Sequence, residues 1–115
     1  MPSNAIDKNG VVGYTFAVGD LSTTHPSIAA DTLDGVGNQG LPTVVQGGSG
    51  SIIDTSNQHW GEYVSTSVDP SDDLTFWSTG QYLPSDEGSC DQTTKMGCNW
   101  LTQVFYCKKG TSPCM

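Results

Sequence analysis

Ser65-Thr66-Ser67-Val68-Asp69-Pro70-Ser71-Asp72-Asp73-Leu74-Thr75-Phe76-Trp77-Ser78 is the stretch that decides the fold. Residues 62–69 alternate in polarity and stop at Asp-Pro-Ser-Asp-Asp, a turn carrying three carboxylates. Residues 74–83 follow as the strongest strand signal in the chain, rich in aromatic and β-branched side chains. The same outline occurs earlier. Ser3-Asn4-Ala5-Ile6-Asp7 leads to a turn at Lys8-Asn9-Gly10 and then to Gly13-Tyr14-Thr15-Phe16, which matches Thr75-Phe76-Trp77-Ser78. Each half is a strand ending in apolar-Asp, a tight turn, an aromatic strand, a loop and a further strand. A repeat of roughly sixty residues built from three or four antiparallel strands marks a propeller blade. Two blades do not close a ring, because propellers use about four to eight. Either the chain belongs to a larger propeller or copies of it cover one another.

Working outward, helical periodicity is absent, and Gly, Pro, Asn and Asp punctuate the chain at short intervals. Strands are expected at 3–7, 11–18, 26–33, 43–46, 62–69, 74–83 and 99–107, with a weaker pairing at 51–54. Asn9-Gly10 is a strong hairpin signal between the first two. The expected fold class is all-β: two antiparallel, blade-like sheets of about seven or eight short strands in total. Residues 1–50 form the first repeat, and 51–115 form the second with its cysteine-bearing tail. At 115 residues this is one domain, able to bury roughly two-thirds of its unfolded surface. The lean hydrophobic content of 35% and the 14 glycines suit strands and turns rather than long helices.

Charge narrows the function. The chain has no arginine. Its cations are Lys8, Lys95, Lys108 and Lys109, and its net charge is -8. Enzymes acting on phosphate, carboxylate or sialic acid grip the anion with bidentate guanidinium groups, which this chain lacks. The negative field repels nucleic acid and anionic membranes, so neither is an expected partner. No stretch has the length and apolarity of a membrane span.

The four cysteines, Cys90, Cys98, Cys107 and Cys114, all lie in the last quarter. An even number in one small region reads as local disulfides in an oxidising compartment. Three connectivities exist; Cys90–Cys98 with Cys107–Cys114 closes the shortest loops, each contributing about 2–3 kcal/mol in the chain-entropy picture. Zinc fits less well, since no pair has C-x-x-C spacing and His25 and His59 are distant in sequence. Disulfides imply export, yet residues 1–7 lack the basic start and apolar core of a leader. The expectation is a secreted, mature product or a piece of a longer chain. No N-x-S/T acceptor follows any asparagine.

Trp60-Gly61-Glu62-Tyr63 followed by 67–77, Ser-Val-Asp-Pro-Ser-Asp-Asp-Leu-Thr-Phe-Trp, resembles the closing blade of large secreted bacterial propeller proteins related to sialidase, or Asp-box, repeats. There a W-G-D-Y segment leads into S-V-D-P-x-D-D-C-T-F-W. Residues 1–10 are similar to the penultimate blade of the same proteins, so the resemblance spans most of the chain. It implies a propeller-type fold and secretion rather than an activity. Leu74 stands where that family has a cysteine, so the family's disulfide does not carry over.

Two clusters invite chemistry. Asp69, Asp72 and Asp73 offer hard oxygen ligands for calcium. The favoured reading makes them turn residues whose carboxylates accept backbone N–H groups, because only Asp69 has a counterpart, Asp7, in the first repeat, as a structural role predicts. Trp60, Tyr63, Trp77, Tyr82 and Trp100 are candidate sugar-stacking residues. Because side chains alternate across a strand, Phe76 and Trp77 face opposite ways, as do Phe105 and Tyr106. Glu62, Glu87 and several Asp residues could supply a glycosidase carboxyl pair. His25 and His59 lack a recognisable serine-hydrolase setting. The expected function is therefore a secreted, non-catalytic interaction module that self-associates as a ring or filament through blade faces and strand edges. The alternatives are a carbohydrate-binding, lectin-like module and the terminal fragment of a larger extracellular propeller.

Overall fold

A computed structural model describes residues 1–20, 22–36, 42–50, 61–84 and 101–111. They form two antiparallel sheets, with no helix among the described residues. The first sheet holds β1 (Ser3–Ile6), β2 (Val12–Val18), β3 (Ser27–Leu33) and β4 (Thr43–Gln46) in sequential order. The second holds β5 (Ser65–Val68), β6 (Thr75–Tyr82) and β7 (Leu101–Lys108), also in order. Each expected strand from 3–46 and 62–107 is present: 43–46 keeps its bounds, the others differ by one to three residues at an end, and residues 99 and 100 of the last lie outside the described residues. The expected pairing at 51–54 lies outside the described residues, as do Cys90, Cys98 and Cys114.

Aspartate starts both hairpin turns by the same device. Asp7 Oδ1 accepts N–H groups from Asn9 and Val11 at 2.8 and 2.9 Å, and Asp69 Oδ1 accepts from Ser71 N–H at 2.8 Å. Near the end of each turn a residue in the left-handed region donates back to the opening carbonyl: Gly10 to Asp7 at 3.0 Å and Asp73 to Asp69 at 2.9 Å. Glycine and aspartate are among the residues that tolerate that backbone region.

The turns differ in length. Ile6 pairs with Val12 across five residues, 7–11, whereas Val68 pairs with Phe76 across seven, 69–75. Structural equivalence therefore aligns Val12 with Phe76 and Tyr14 with Ser78. The sequence match of Tyr14 with Phe76 is displaced by the two extra residues of the Asp-Pro-Ser-Asp-Asp turn. Since two is the strand period, the displacement leaves every side chain on its expected face.

The sheets stack with like strand over like: β1 over β5, β2 over β6, and β3 over β6 and β7. The two turns meet at one end, where Lys8 N–H donates to the Asp73 carbonyl at 3.1 Å. At the other end Leu83 N–H donates to the Pro26 carbonyl at 3.3 Å, and the Leu83 carbonyl accepts from Ser49 and Gly50. Equal order and equal direction make this front-to-back stacking. The face of β2 carrying Gly13, Thr15 and Ala17 meets the face of β6 carrying Phe76, Ser78 and Gly80, and by hydrogen-bond register those two faces are not equivalent.

Between them lies the core of Val11, Ile28, Ala30, Phe76, Phe105 and Cys107, joined by Ala5, Val45, Val68 and Tyr82 at its margin. The first sheet offers a shallow surface because Gly13, Ala5 and Ala30 are small. Phe76 lies flat against Gly13, where any Cβ would fall inside the ring's contact distance. Ile28 similarly occupies the space above Gly80, 3.0 Å from where its Cβ would stand. One polar thread crosses this contact. Thr15 Oγ1 donates to Ser78 Oγ at 2.9 Å, Ser78 to Thr66 Oγ1 at 3.1 Å, and Thr66 to the Ser3 carbonyl at 3.4 Å. The hydroxyls are satisfied, so burying them carries no orphaned polar group.

Candidate functional site

The alternation expected of β6 and β7 holds. Phe76 and Phe105 are 1% and 4% exposed, whereas Trp77 and Tyr106, on the outer face, are 43% and 47% exposed. Register places Trp77 directly opposite Tyr106, and their rings lie 5.4 Å apart with a 52° tilt. Cross-strand aromatic pairs of this kind stabilise a sheet face by roughly 0.2–1 kcal/mol relative to alanines. Ser67 flanks Trp77 from β5, while Thr79, Gln81 and the exposed Val104 extend the same face.

Asp69 ties this face to the turn. Its Oδ1 holds Ser71 N–H, and its Oδ2 accepts the Trp77 indole N–H at 2.8 Å. The Ser71 and Trp77 donors lower its pKa below the ordinary aspartate value of 3.8. Asp72 is used more fully. Its Oδ1 accepts from Leu74 and Thr75 N–H, and its Oδ2 accepts from Thr75 Oγ1 and, at 3.2 Å, from Lys108 Nζ. The Leu74 amide, then the Thr75 hydroxyl and amide, hold its carboxyl far below the usual range. Asp20 repeats the device at 20–24, where its carboxylate collects donors from Ser22, Thr23 and Thr24. Its pKa is lowered chiefly by the Thr23 amide.

Among the three calcium candidates, Asp69 and Asp72 thus meet donors of their own turn, and Asp73 supplies the left-handed residue. Among the described residues no three His, Cys, Asp or Glu side chains group to hold a metal ion. These contacts fit the turn use of the cluster; calcium binding stays a proposal in which an ion would compete with those donors.

The five sugar-stacking candidates are dispersed. Trp77 faces outward, but Tyr82 lies on the opposite face of β6, at the margin of the core. Tyr63 is 78% exposed in the segment before β5. Trp60 and Trp100 lie outside the described residues. Tyr106, which the sequence places only on the face opposite Phe105, is set beside Trp77 by the antiparallel pairing of β6 with β7. The face of the first sheet carrying Val12, Tyr14 and Phe16 is missing from the sequence reading. There the Tyr14 and Phe16 rings stack at 6.0 Å, and the Tyr14 hydroxyl donates to Asp31 Oδ2 at 3.0 Å. Ile6 and Val44 lie on the same face, exposed at 64% and 50%.

The described lysines are all engaged. Lys8 Nζ donates to the Asp72 carbonyl at 2.7 Å, Lys108 reaches the Asp72 carboxylate, and Lys109 pairs with Asp34 at 2.8 Å. Two of these contacts, Lys8 to Asp72 and Lys109 to Asp34, join one sheet to the other.

A pH dependence follows from the turns. Folded-state carboxyls with depressed pKa values stabilise the protein above their unfolded pKa, near 3.8. That contribution is lost as pH falls from there toward the folded values. Thermal melts should therefore show little change from neutrality down to about pH 5 and a falling melting temperature below about pH 4. Relief of acidic repulsion acts oppositely, so Asp72→Asn isolates the turn: the variant should melt lower at pH 7 and lose less on acidification. Equal acid slopes for variant and parent would refute the assignment.

Comparison with known proteins finds no matching family model, no matching curated protein and no matching solved structure.

Proposed function

We propose that this chain is a secreted, non-catalytic structural module of two propeller-like blades that self-associates into a ring or filament. One observation carries the reading: the two sheets stack front to back, so the pair ends in two unlike apolar faces. Each is the register equivalent of a face already buried inside the chain. The Trp77, Tyr106 and Val104 face corresponds to the Gly13 and Thr15 face, and the Val12, Tyr14 and Phe16 face to that of Phe76 and Ser78. Exposed apolar side chains grouped on one face, as Trp77, Val104 and Tyr106 are, mark interaction sites. The resemblance to Asp-box propeller repeats supports the blade description, and the turn aspartates suit it. The cysteines support an oxidising destination. Cys107 is buried at 3% on the inner face, and its pairing with Cys90, Cys98 or Cys114 belongs to this proposal.

Sedimentation velocity or light scattering across a concentration series tests the reading. Species larger than the 12.1 kDa chain should appear and grow with concentration: a fixed multiple for a ring, an open distribution for a filament. A monomer at every concentration refutes it. The carbohydrate-binding alternative rests on exposed Trp77 beside Tyr106, with its indole N–H fixed by Asp69. It takes precedence if the chain is monomeric and is retained on a glycan resin.

A further inference from the structure

We propose, building on that reading of self-association, that copies join head to tail: the Trp77–Tyr106 face of one copy seats on the Val12–Tyr14–Phe16 face of the next. The occupant of each exposed face is thus a second copy of this chain, and the contact is heterologous rather than two-fold.

The argument comes from extending the stacking found within the chain. The two sheets share one strand order, and because their first turns meet at one end and Leu83 meets Pro26 at the other, equivalent strands run in the same direction. The step from the first sheet to the second is therefore close to a repeat along one direction. Repeating it brings the next copy's first sheet onto the outer face of the second sheet. A two-fold contact would instead press two like faces together, an arrangement for which the chain provides no template.

Side-chain size supports the same step. Inside the chain, three contacts define the meeting of the sheets: Gly13 under Phe76, Thr15 bonded to Ser78, and Ile28 over Gly80. The hydrogen-bond register converts each into a contact between copies. Gly13 becomes Trp77 and Phe76 becomes Val12, so a small residue under a large one becomes a large one on a smaller one. Ile28 over Gly80 becomes Thr102 over Phe16, and again the bulk changes sides. Thr15 with Ser78 becomes Thr79 with Tyr14, keeping a hydroxyl on each side. Bulk is exchanged across the contact rather than doubled, as interdigitating faces require. Like-with-like pairing would set the Trp77 and Tyr106 rings against their own copies.

Mixing two blocked variants tests this. Trp77→Glu with Tyr106→Glu blocks one face, and Ile6→Glu with Phe16→Glu blocks the other. All four positions face outward, and far-UV circular dichroism with a thermal melt checks each fold. Serine at the same positions serves if a glutamate variant fails to fold. Each variant alone should sediment as a monomer. An equimolar mixture should give a one-to-one dimer and nothing larger, because each variant keeps one competent face and the two are complementary. The proposal is overturned if either variant alone still assembles, the sign of a two-fold contact, or if the mixture stays monomeric while the parent chain associates. Failure of the parent itself to associate would instead remove the self-association on which the proposal rests.

Discussion

Phe76→Ala is expected to cost about 3–5 kcal/mol of folding stability, the range for truncating a fully buried phenylalanine. Among the described residues the ring is the largest of the fully buried side chains, and it packs between the sheets. It rests on Gly13, which has no side chain to collapse into the vacated space. The cavity term should therefore remain close to its full size. Native domains hold only about 5–15 kcal/mol in total, so this variant should lose a large share of its stability. Urea denaturation followed by tryptophan fluorescence reads the effect. A midpoint shift worth less than about 1 kcal/mol, well under the expected cavity cost, would place Phe76 outside the core. Its neighbour Trp77 provides the contrast: alanine there should cost far less, on the order of the 0.2–1 kcal/mol of a cross-strand pair, while reducing association, because its ring lies on the outer face.

Gly13→Val is the second large effect, and its sign separates two physical accounts. In a strand, valine is favoured over glycine by an amount on a scale of about 1 kcal/mol, so local propensity predicts stabilisation. Packing predicts the reverse. The new Cβ would fall within contact distance of the Phe76 ring, and overpacking costs about 1–3 kcal/mol, sometimes more. The ring is hemmed in by the rest of the core, so packing should win and the variant should be destabilised. A double-mutant cycle makes the mechanism specific. In a Phe76→Leu background the cost of Gly13→Val should shrink, with a coupling energy of about 0.5–3 kcal/mol for residues in contact. An unchanged cost would mean that the introduced side chain strains the strand by some other route.

The fold is largely legible in the sequence because its signals are local. Asn9-Gly10 announces the first hairpin, Asp-Pro-Ser-Asp-Asp the second, and the alternation through Phe76 and Trp77 divides core from surface. The repeat is visible as well, but its alignment by sequence is off by two residues. Sequence counts turn residues, whereas hydrogen-bond register fixes which residues oppose one another, and Pro70 to Asp73 lengthen one turn without changing the faces. The candidate site is less legible. Whether Tyr82 joins Trp77 depends on strand parity, and its parity sends it to the core. Tyr106 becomes Trp77's neighbour only through pairing with a strand more than twenty residues away. The acidic turn reads as a ligand cluster or as self-capping, because composition does not reveal which donors are within reach. The front-to-back stacking depends on how two separate sheets meet, and no run of residues encodes that by itself.

The oxygen thread from Thr15 through Ser78 and Thr66 to the Ser3 carbonyl also acts as a key. Apolar layers can slide past one another with little change in buried area, since the hydrophobic effect has no direction. Hydroxyls that must find one another do not permit this. Shifting one layer by a dipeptide would bring Thr15 opposite Phe76 or Gly80 and leave its hydroxyl without the Ser78 oxygen in a dry, low-dielectric gap, a penalty of about 1–3 kcal/mol for an orphaned group. A few small polar atoms thus select one alignment among the several that greasy contact alone would tolerate.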